Sequence, residues 1–474
     1  MLQSALYAAE RMSHAIWISH TVNLVIIGEL FTAVLHLSSH PSSVDDVAYV
    51  WWYDNEGAIQ SHGINFVQDL PQFLVLLLCF ERFTPRDWGI NPLFRFAEHE
   101  ADNCLLSFPS SLPAVDIAIS HADKIRDHFG IVGRATQMLP ATSQSKDPRN
   151  IGRNLGDIDL VVKVYWPEAS RAREGQIIEK ARQIAKQNDS VNGHLPDLIC
   201  SHDFEEYSTK RIRMAFGITT ESHRVLRVML FRRLYPITDL IGDKFWKAFW
   251  ECFRCRCTLK LLSHADHPVM PGHYYLWVGG VEHNDISVRN LMYDKLNEDR
   301  GILNDYDLAH LRGRPRPSGT ERTGTMPFMA LDLLTNDAWD GKIARLYRHD
   351  CESFAWVLLW ISCRYDKGKE IPNPPLDAFI TGDYNRCFEG KHAIISKLKD
   401  IAATPSYEST WGASVSLITL FVSQRYQREL NTLCRDNSPS EQAIDEIVQS
   451  CQKALEGKGV CINLPDGSRH NLDG

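Results

Sequence analysis

The 474-residue chain lacks an apolar run free of polar interruption and long enough to cross a bilayer. Its most hydrophobic stretch, AIWISHTVNLVIIGELFTAVLHL, carries His20, Asn23 and Glu29. Polar groups at mid-span are costly in hydrocarbon, so buried strand and helix are expected there and no membrane association. An excess of basic residues is also missing. The 51 Lys and Arg stand against 59 Asp and Glu, for a formal charge of -8 and a pI near 6.2. Nucleic acid gains no general attraction from such a chain and is not an expected partner. The 12 cysteines show no disulfide-framework spacing, and the opening MLQSALYAAERMSHAIW has no basic start followed by a clean apolar stretch. A reducing compartment, cytoplasm or nucleus, is expected. Internal repeats and long low-complexity tracts are missing as well, and no full G-x-G-x-x-G occurs.

What is present suffices for a large core: 44% of residues are apolar, and the length suggests two to four structural units. Residues 1–112 are expected to form a small α/β extension. In it VAYVWWYD and AIQSHGINF make a hairpin, and DLPQFLVLLLCFERF makes a buried helix capped by Asp69. From 113 to 235 the order is strand (GIVGRATQML), strand (DLVVKVYW), helix (RAREGQIIEKARQIAKQ), strand (RIRMAFGIT), strand (HRVLRVMLF), the pattern of a small antiparallel lobe. Residues 236–474 read as mostly helical, through DKFWKAFWECFRCRCTLKLL, DCESFAWVLLWIS and SVSLITLFVSQRYQRELNTL. A last helix is announced by Ser438, Pro439 and Glu441. The fold class expected is α+β in two lobes, preceded by the extension.

The strongest chemical signal is VEHNDISVRNLMY, an H-x-D followed five residues later by Asn. Phosphoryl transfer needs a carboxylate near the acceptor hydroxyl and oxygen ligands for magnesium. Asp285 can orient the acceptor and take its proton, Asn290 can supply a neutral metal ligand, and His283 can pin the loop. Fifteen residues after Asn290, GILNDYDLAH ends a β-like run in Asp-aromatic and offers Asp305 as a second metal ligand. That spacing is the one protein kinases use between catalytic loop and metal-binding Asp. Upstream, Lys163 ends the run VVK and can hold the α and β phosphates of ATP, and Glu174 on the following helix can orient it through an ion pair. Gly130 and Gly133 in GIVGRAT form a thin phosphate loop. Downstream, Ala330, Leu331 and Asp332 stand in for Ala-Pro-Glu, and Asp350 is placed to brace the catalytic loop from below.

The chain resembles the fungal-type protein kinase domain family. HNDIS-x-x-NLM, the D-aromatic-D-L-A metal loop, RTGT-x-PFMA-x-x-LL and HD-x-ES-x-x-WVLLW carry the likeness, as do WWYDNEGAIQSHGINFVQDLPQFLVLLL and DWGIN. It spans roughly residues 1 to 365. The resemblance implies a bilobal kinase fold, ATP with magnesium, and serine or threonine of a protein substrate as the acceptor. The departures are specific. Asn284 replaces the arginine of His-Arg-Asp that would clasp a phosphate on the activation segment, so activation by phosphate there is not expected. Ser287 replaces a phosphate-contacting lysine, and Asp307 replaces the glycine after Asp-aromatic. LSHADHPVMPGHYYL, ahead of the catalytic loop, reads as an insertion.

Blander readings stand beside these. Lys163 can be a solvated strand-end lysine, Glu174 a surface helix charge with Glu179 as substitute, and Gly133 an ordinary turn glycine. Cys252 and Cys255 with His264 and His267 invite zinc, yet the cysteines also suit an apolar helix face. RGRPRPSGTER reads as a solvated loop before a nucleic-acid arm. Three functions compete: an active protein Ser/Thr kinase, a small-molecule kinase of the aminoglycoside or choline type, and a pseudokinase serving as nucleotide-binding or scaffold module. The RTGT-x-PFMA segment favours the first over the second; the lost arginine and lysine favour the third.

Overall fold

The structure is a computed structural model. It describes residues 2–27, 46–97, 100–107, 116–120, 130–143, 159–219, 223–254, 272–314, 324–433, 446–447, 449–451 and 453. Two compact units divide the chain: residues 1–171 with 197–233, and residues 172–196 with 234–474.

The first unit is β-rich. Helix α1 (Leu2–His14) precedes β1 (His20–Ile27), which pairs antiparallel with β2 (Val47–Asp54). β2 in turn pairs with β3 (Gly57–Gln60) and β4 (Ile64–Asn65). The expected hairpin is therefore present, its second half split in two. Ala8, Met12, Ala15, Ile18 and Tyr53 pack the helix on this sheet. Helix α2 (Leu70–Glu81) follows with a proline in its first turn. Asp69 occupies its N-cap but makes no side-chain cap bond. Contrary to expectation, α2 is not buried: none of its residues is, and Leu74 and Val75 are 55% and 60% exposed. The helix is apolar on every face, so one face is left outward whichever way it lies.

A second sheet of seven antiparallel strands runs in the order β10-β11-β9-β8-β7-β6-β5. Its members are β5 (Phe94–Ala97), β6 (Glu100–Ser107), β7 (Asp116–Ser120), β8 (Gln137–Ser143), β9 (Leu160–Tyr165), β10 (Leu198–Ser208) and β11 (Val225–Arg232). The division expected at residue 112 falls inside this sheet. Leu160, Val162 and Val164 of β9 enter the core with Leu106, Ile117, Ile119, Leu139, Phe204 and Val228. By period-two alternation Val161, Lys163 and Tyr165 take the opposite face.

Two further sequence expectations fail in this unit. GIVGRATQML becomes strand only from Gln137. RIRMAFGIT is not a strand: residues Lys210–Ala215 form helix α4. The alternation of Ile212, Met214, Phe216 and Ile218 suggested β, but the buried residue is Arg213. Its guanidinium reaches Asp54 at 2.5 and 2.8 Å, and this paired charge outweighs the apolar pattern. Met214 and Phe216 are left 63% and 62% exposed.

The second unit is mostly helical. It holds α3 (Glu174–Lys186), α5 (Gly242–Arg254), α6 (Gly272–Val278), α7 (Asn336–Trp339), α8 (Tyr347–Arg364), α9 (Tyr384–Ser396) and α10 (Glu408–Leu433). Helix α8 is its axis: Phe354, Trp356, Leu358 and Ile361 are buried among Phe249, Phe253, Phe379, Leu417 and Ile418. The expected α+β class is thus observed. Among the described residues no helix is long and apolar enough to cross a membrane. Cys252 is buried on the core face of α5, whereas Cys255, His264, His267, most of RGRPRPSGTER and the Ser438–Glu441 cap lie outside the described residues. Of the stretch read as an insertion, Gly272 onward forms the start of α6 and the rest is likewise outside them.

Candidate active site

Four short strands in the second unit bring the two signal loops together. β13 (Val281–Glu282) pairs with β16 (His310–Leu311), and β14 (Leu291–Asp294) pairs with β15 (Arg300–Leu303) and, on its other edge, with the short β12 (Tyr235–Pro236). Loop 283–290 joins β13 to β14 and loop 304–309 joins β15 to β16, so both loops leave and enter the same two ladders and run side by side. Asn304 N–H donates to the Asn290 carbonyl at 2.8 Å, one residue before Asp305.

His283 locks the pair. Its Nε2 faces the Asn304 carbonyl at 3.0 Å and so carries the proton, while Nδ1 accepts the Asp285 N–H at 3.3 Å. Burial lowers the His283 pKa, keeping the ring neutral and in this tautomer. Tyr306 stacks edge-on against the ring at 4.8 Å.

Asn290 turns its amide nitrogen inward, donating to the Asp285 carbonyl at 2.7 Å and to Asp285 Oδ2 at 3.1 Å. Its Oδ1 therefore faces the other way. Asp285 Oδ1 accepts from both the N–H (2.8 Å) and Oγ1 (2.7 Å) of Thr325. Thr325 was not singled out from the sequence; the only signal was its place in RTGT-x-PFMA. Asn284 and Asp305 both have left-handed backbones, with φ +65° and +63°. Outside glycine such residues cost on the order of 1 kcal/mol each and gather at functional sites.

The brace expected at Asp350 is there. Its Oδ2 accepts the Asn284 N–H at 3.2 Å and faces His273 Nε2 at 3.3 Å, and Oδ1 faces Arg345 Nη2 at 3.4 Å. Burial alone would raise this carboxyl, but the bond from His273 and the Arg345 charge carry it well below the usual carboxylate range. Glu174 is buried in the first turn of α3, and its Oε1 accepts the Tyr306 N–H at 3.2 Å. It is not a surface charge, whereas Glu179 is exposed. Asp332 sits among Arg425 (3.0 Å), Arg428 (3.2 Å), Arg348 (3.6 Å) and His349 (3.6 Å). Those partners overcome its burial and depress its pKa. Ser287 is buried in a turn whose carbonyl accepts the Asn290 N–H, and Asp307 is buried too.

Lys163 lies in the first unit, on β9 between Met138 of β8 and Met229 of β11. It is buried, with Nζ 4.5 Å from the centre of the Tyr165 ring, so it is not a solvated strand end. Gly130 and Gly133 precede β8 with φ of +159° and +131°. The second needs glycine's freedom, and its N–H donates to the Asn55 carbonyl at 3.0 Å.

These parts fit phosphotransfer chemistry: two oxygen-bearing side chains, Asn290 and Asp305, on adjoining loops, with a positioned carboxylate beside them. Among the described residues no cluster of three or more His, Cys, Asp or Glu could hold a metal ion. The solved structure of vaccinia related kinase 3 is similar at 10% identity, with 76% of this chain and 92% of that chain covered and a TM-score of 0.41. Among curated proteins none matches. Residues 44–227 and 257–362, more than half of the chain and including both loops, match the family described as fungal protein kinase, and the chain belongs to that family.

Proposed function

We propose that the chain is a protein kinase that moves the γ-phosphoryl group of ATP, with magnesium, to a serine or threonine hydroxyl of a protein. One observation carries the reading most: the bond from Asn304 N–H to the Asn290 carbonyl at 2.8 Å, which sets the Asp305 loop against the Asp285–Asn290 loop. In this reading Asn290 Oδ1 and the Asp305 carboxylate hold magnesium. The bound ion supplies charge neutralisation at the phosphate oxygens. The family resemblance gives Lys163 the role of holding the α and β phosphates and Gly130 and Gly133 that of the phosphate loop, while Glu174 steadies the metal loop through the Tyr306 N–H. Asp285 orients the acceptor hydroxyl and receives its proton. Most of the rate then comes from positioning and preorganised charge.

A second reading, a pseudokinase that binds nucleotide without turnover, is favoured by one feature. Three hydrogen bonds from Thr325 and Asn290 already occupy both Asp285 oxygens, and an acceptor hydroxyl has to share or displace one of them. Phosphate transfer to casein, measured beside nucleotide binding with and without magnesium, separates the two. The proposal expects transfer in the wild type. Asp305→Ala is expected to lose at least ~3 kcal/mol of transition-state stabilisation, roughly two orders of magnitude in rate, and Asp285→Asn to keep nucleotide binding while losing turnover. Near-normal transfer by Asp305→Ala sinks the scheme, and binding without transfer by the wild type selects the pseudokinase.

A further inference from the structure

Asn284 replaces the arginine of the kinase catalytic loop, yet a guanidinium is present at this loop from elsewhere in the sequence. Arg345 Nη2 donates to the Asn284 carbonyl at 2.5 Å and lies 3.4 Å from Asp350 Oδ1. Asp350 Oδ2 in turn accepts the Asn284 N–H at 3.2 Å. Both backbone groups of one left-handed residue, φ +65°, are thus gripped by two side chains that also pair with each other. The ring closes out of water: the Arg345 side chain is 7% exposed and that of Asp350 is 0% exposed. The activation segment meets the same point. A Cβ added to Gly324, whose φ is +123°, would come within 3.2 Å of the Asn284 carbonyl oxygen and 3.8 Å of Arg345 Nη2. The next residue, Thr325, donates from both its N–H and its Oγ1 to Asp285.

We infer that Arg345 is a positioning residue for the catalytic loop: it fixes the Asn284 peptide, and through it Asp285, in the register that the arginine missing at 284 cannot supply. A guanidinium suits the task because it is always charged and offers several donors in a rigid plane, so one head can serve a carbonyl and a carboxylate together. A lysine offers a compact point charge on a flexible stem and serves the two acceptors less well. Because the clamp is built from groups of the chain itself, loop geometry needs no phosphate on the activation segment. The kinetic consequence rests on the kinase reading above; the clamp itself does not.

Two readouts on the full chain test it. Backbone amide hydrogen exchange at Asn284 and Asp285 reports the clamp, and kcat and KM for ATP with casein as acceptor report its effect. Arg345→Met is expected to speed exchange at Asn284 at least tenfold while α10 keeps its protection. It is also expected to lower kcat at least tenfold with KM for ATP within twofold, and Arg345→Lys to recover part of both. Unchanged exchange at Asn284 in a folded Arg345→Met protein overturns the clamp, as does loosening that spreads equally through α10. A kcat loss matched by an equal rise in KM overturns the positioning role. If Arg345→Met does not fold, Arg345→Lys carries both arms, and wild-type values in it overturn the need for a guanidinium. If the wild type transfers no phosphate, the function reading fails, and the exchange arm alone still decides the clamp.

Discussion

Helices α2 and α8 invert the usual expectation about burial. α2, LPQFLVLLLCFE, carries no charge before its last residue, yet none of its side chains is buried. α8, YRHDCESFAWVLLWISCR, contains Asp350, Glu352 and two arginines, yet every residue except Arg348 is buried. Apolar content therefore does not decide burial by itself. α8 is enclosed because its carboxylates and most of its other polar groups find partners, Tyr347 Oη being an exception. Glu352 accepts from Leu331 N–H at 2.8 Å and Trp356 Nε1 at 3.1 Å, Ser353 donates to the His349 carbonyl at 2.9 Å, and Arg364 Nε donates to Glu370 at 2.9 Å. Buried polar groups so satisfied cost little and fix one arrangement. That is what the lower side of the catalytic loop requires, since Asp350 belongs to this helix.

The contrast breaks hardest at Trp356. It is 1% exposed, meets Phe379 edge-on at 5.7 Å, and supplies one of the two donors to Glu352. Trp356→Ala is expected to cost about 3–5 kcal/mol through the cavity it opens, and more if Glu352 is left short of a donor. Urea unfolding followed by circular dichroism measures the loss. A cost under ~1 kcal/mol would show that α8 is not the enclosed axis described.

Lys391 of α9 sharpens the comparison from the polar side. It is fully buried, with Nζ donating to the Met329 carbonyl at 2.5 Å and lying 4.3 Å above the Trp356 ring. Burial lowers its pKa from 10.5 to about 8, with Glu352 and Cys387 opposing the shift. Between those two values the unfolded chain binds the proton that the folded chain has released, so this residue's contribution to stability rises with pH from about 8 to about 10 and is lost again on acidification through 8. The stability difference between wild type and Lys391→Met is expected to change by on the order of 2 kcal/mol between pH 7 and pH 10. A difference that stays flat across that range would mean the lysine titrates as a solvated one.

The same contrast explains which parts of this protein could be read from its residues. The two loops with Asp285, Asn290 and Asp305 were legible because the chemistry demands those residue types at nearly fixed spacing, and short strands on either side hold that spacing. Strand β10, LICSHDFEEYS, was not read. Its His202, Asp203, Glu205 and Glu206 look like loop, but the ladder to β11 makes a strand of them, with Asp203 paired to Arg227 at 2.6 Å. α4 was misread because alternation outranked a charge pair 159 positions apart in the chain. Arg345 left no trace at all: it acts on a carbonyl 61 positions away, and backbone acceptors have no side-chain signature. Local chemistry is written in the sequence, while long-range polar partnership has to be seen.

The smallest expected effect lies on α2 and is the sharpest check of the inversion. Leu74 is 55% exposed, so its side chain already meets water in the folded state and gains little by folding. Leu74→Ser is expected to change unfolding free energy by no more than about 0.5 kcal/mol, as for surface substitutions in general. The same exchange at Leu358 of α8, which is 0% exposed, removes a packed side chain and leaves a hydroxyl in its place, with an expected cost of roughly 3 kcal/mol or more. Both are read from one pair of denaturant titrations at equal m-value. Equal losses at the two positions would mean that α2 is covered in solution, and the outward apolar face described for it would have to be withdrawn.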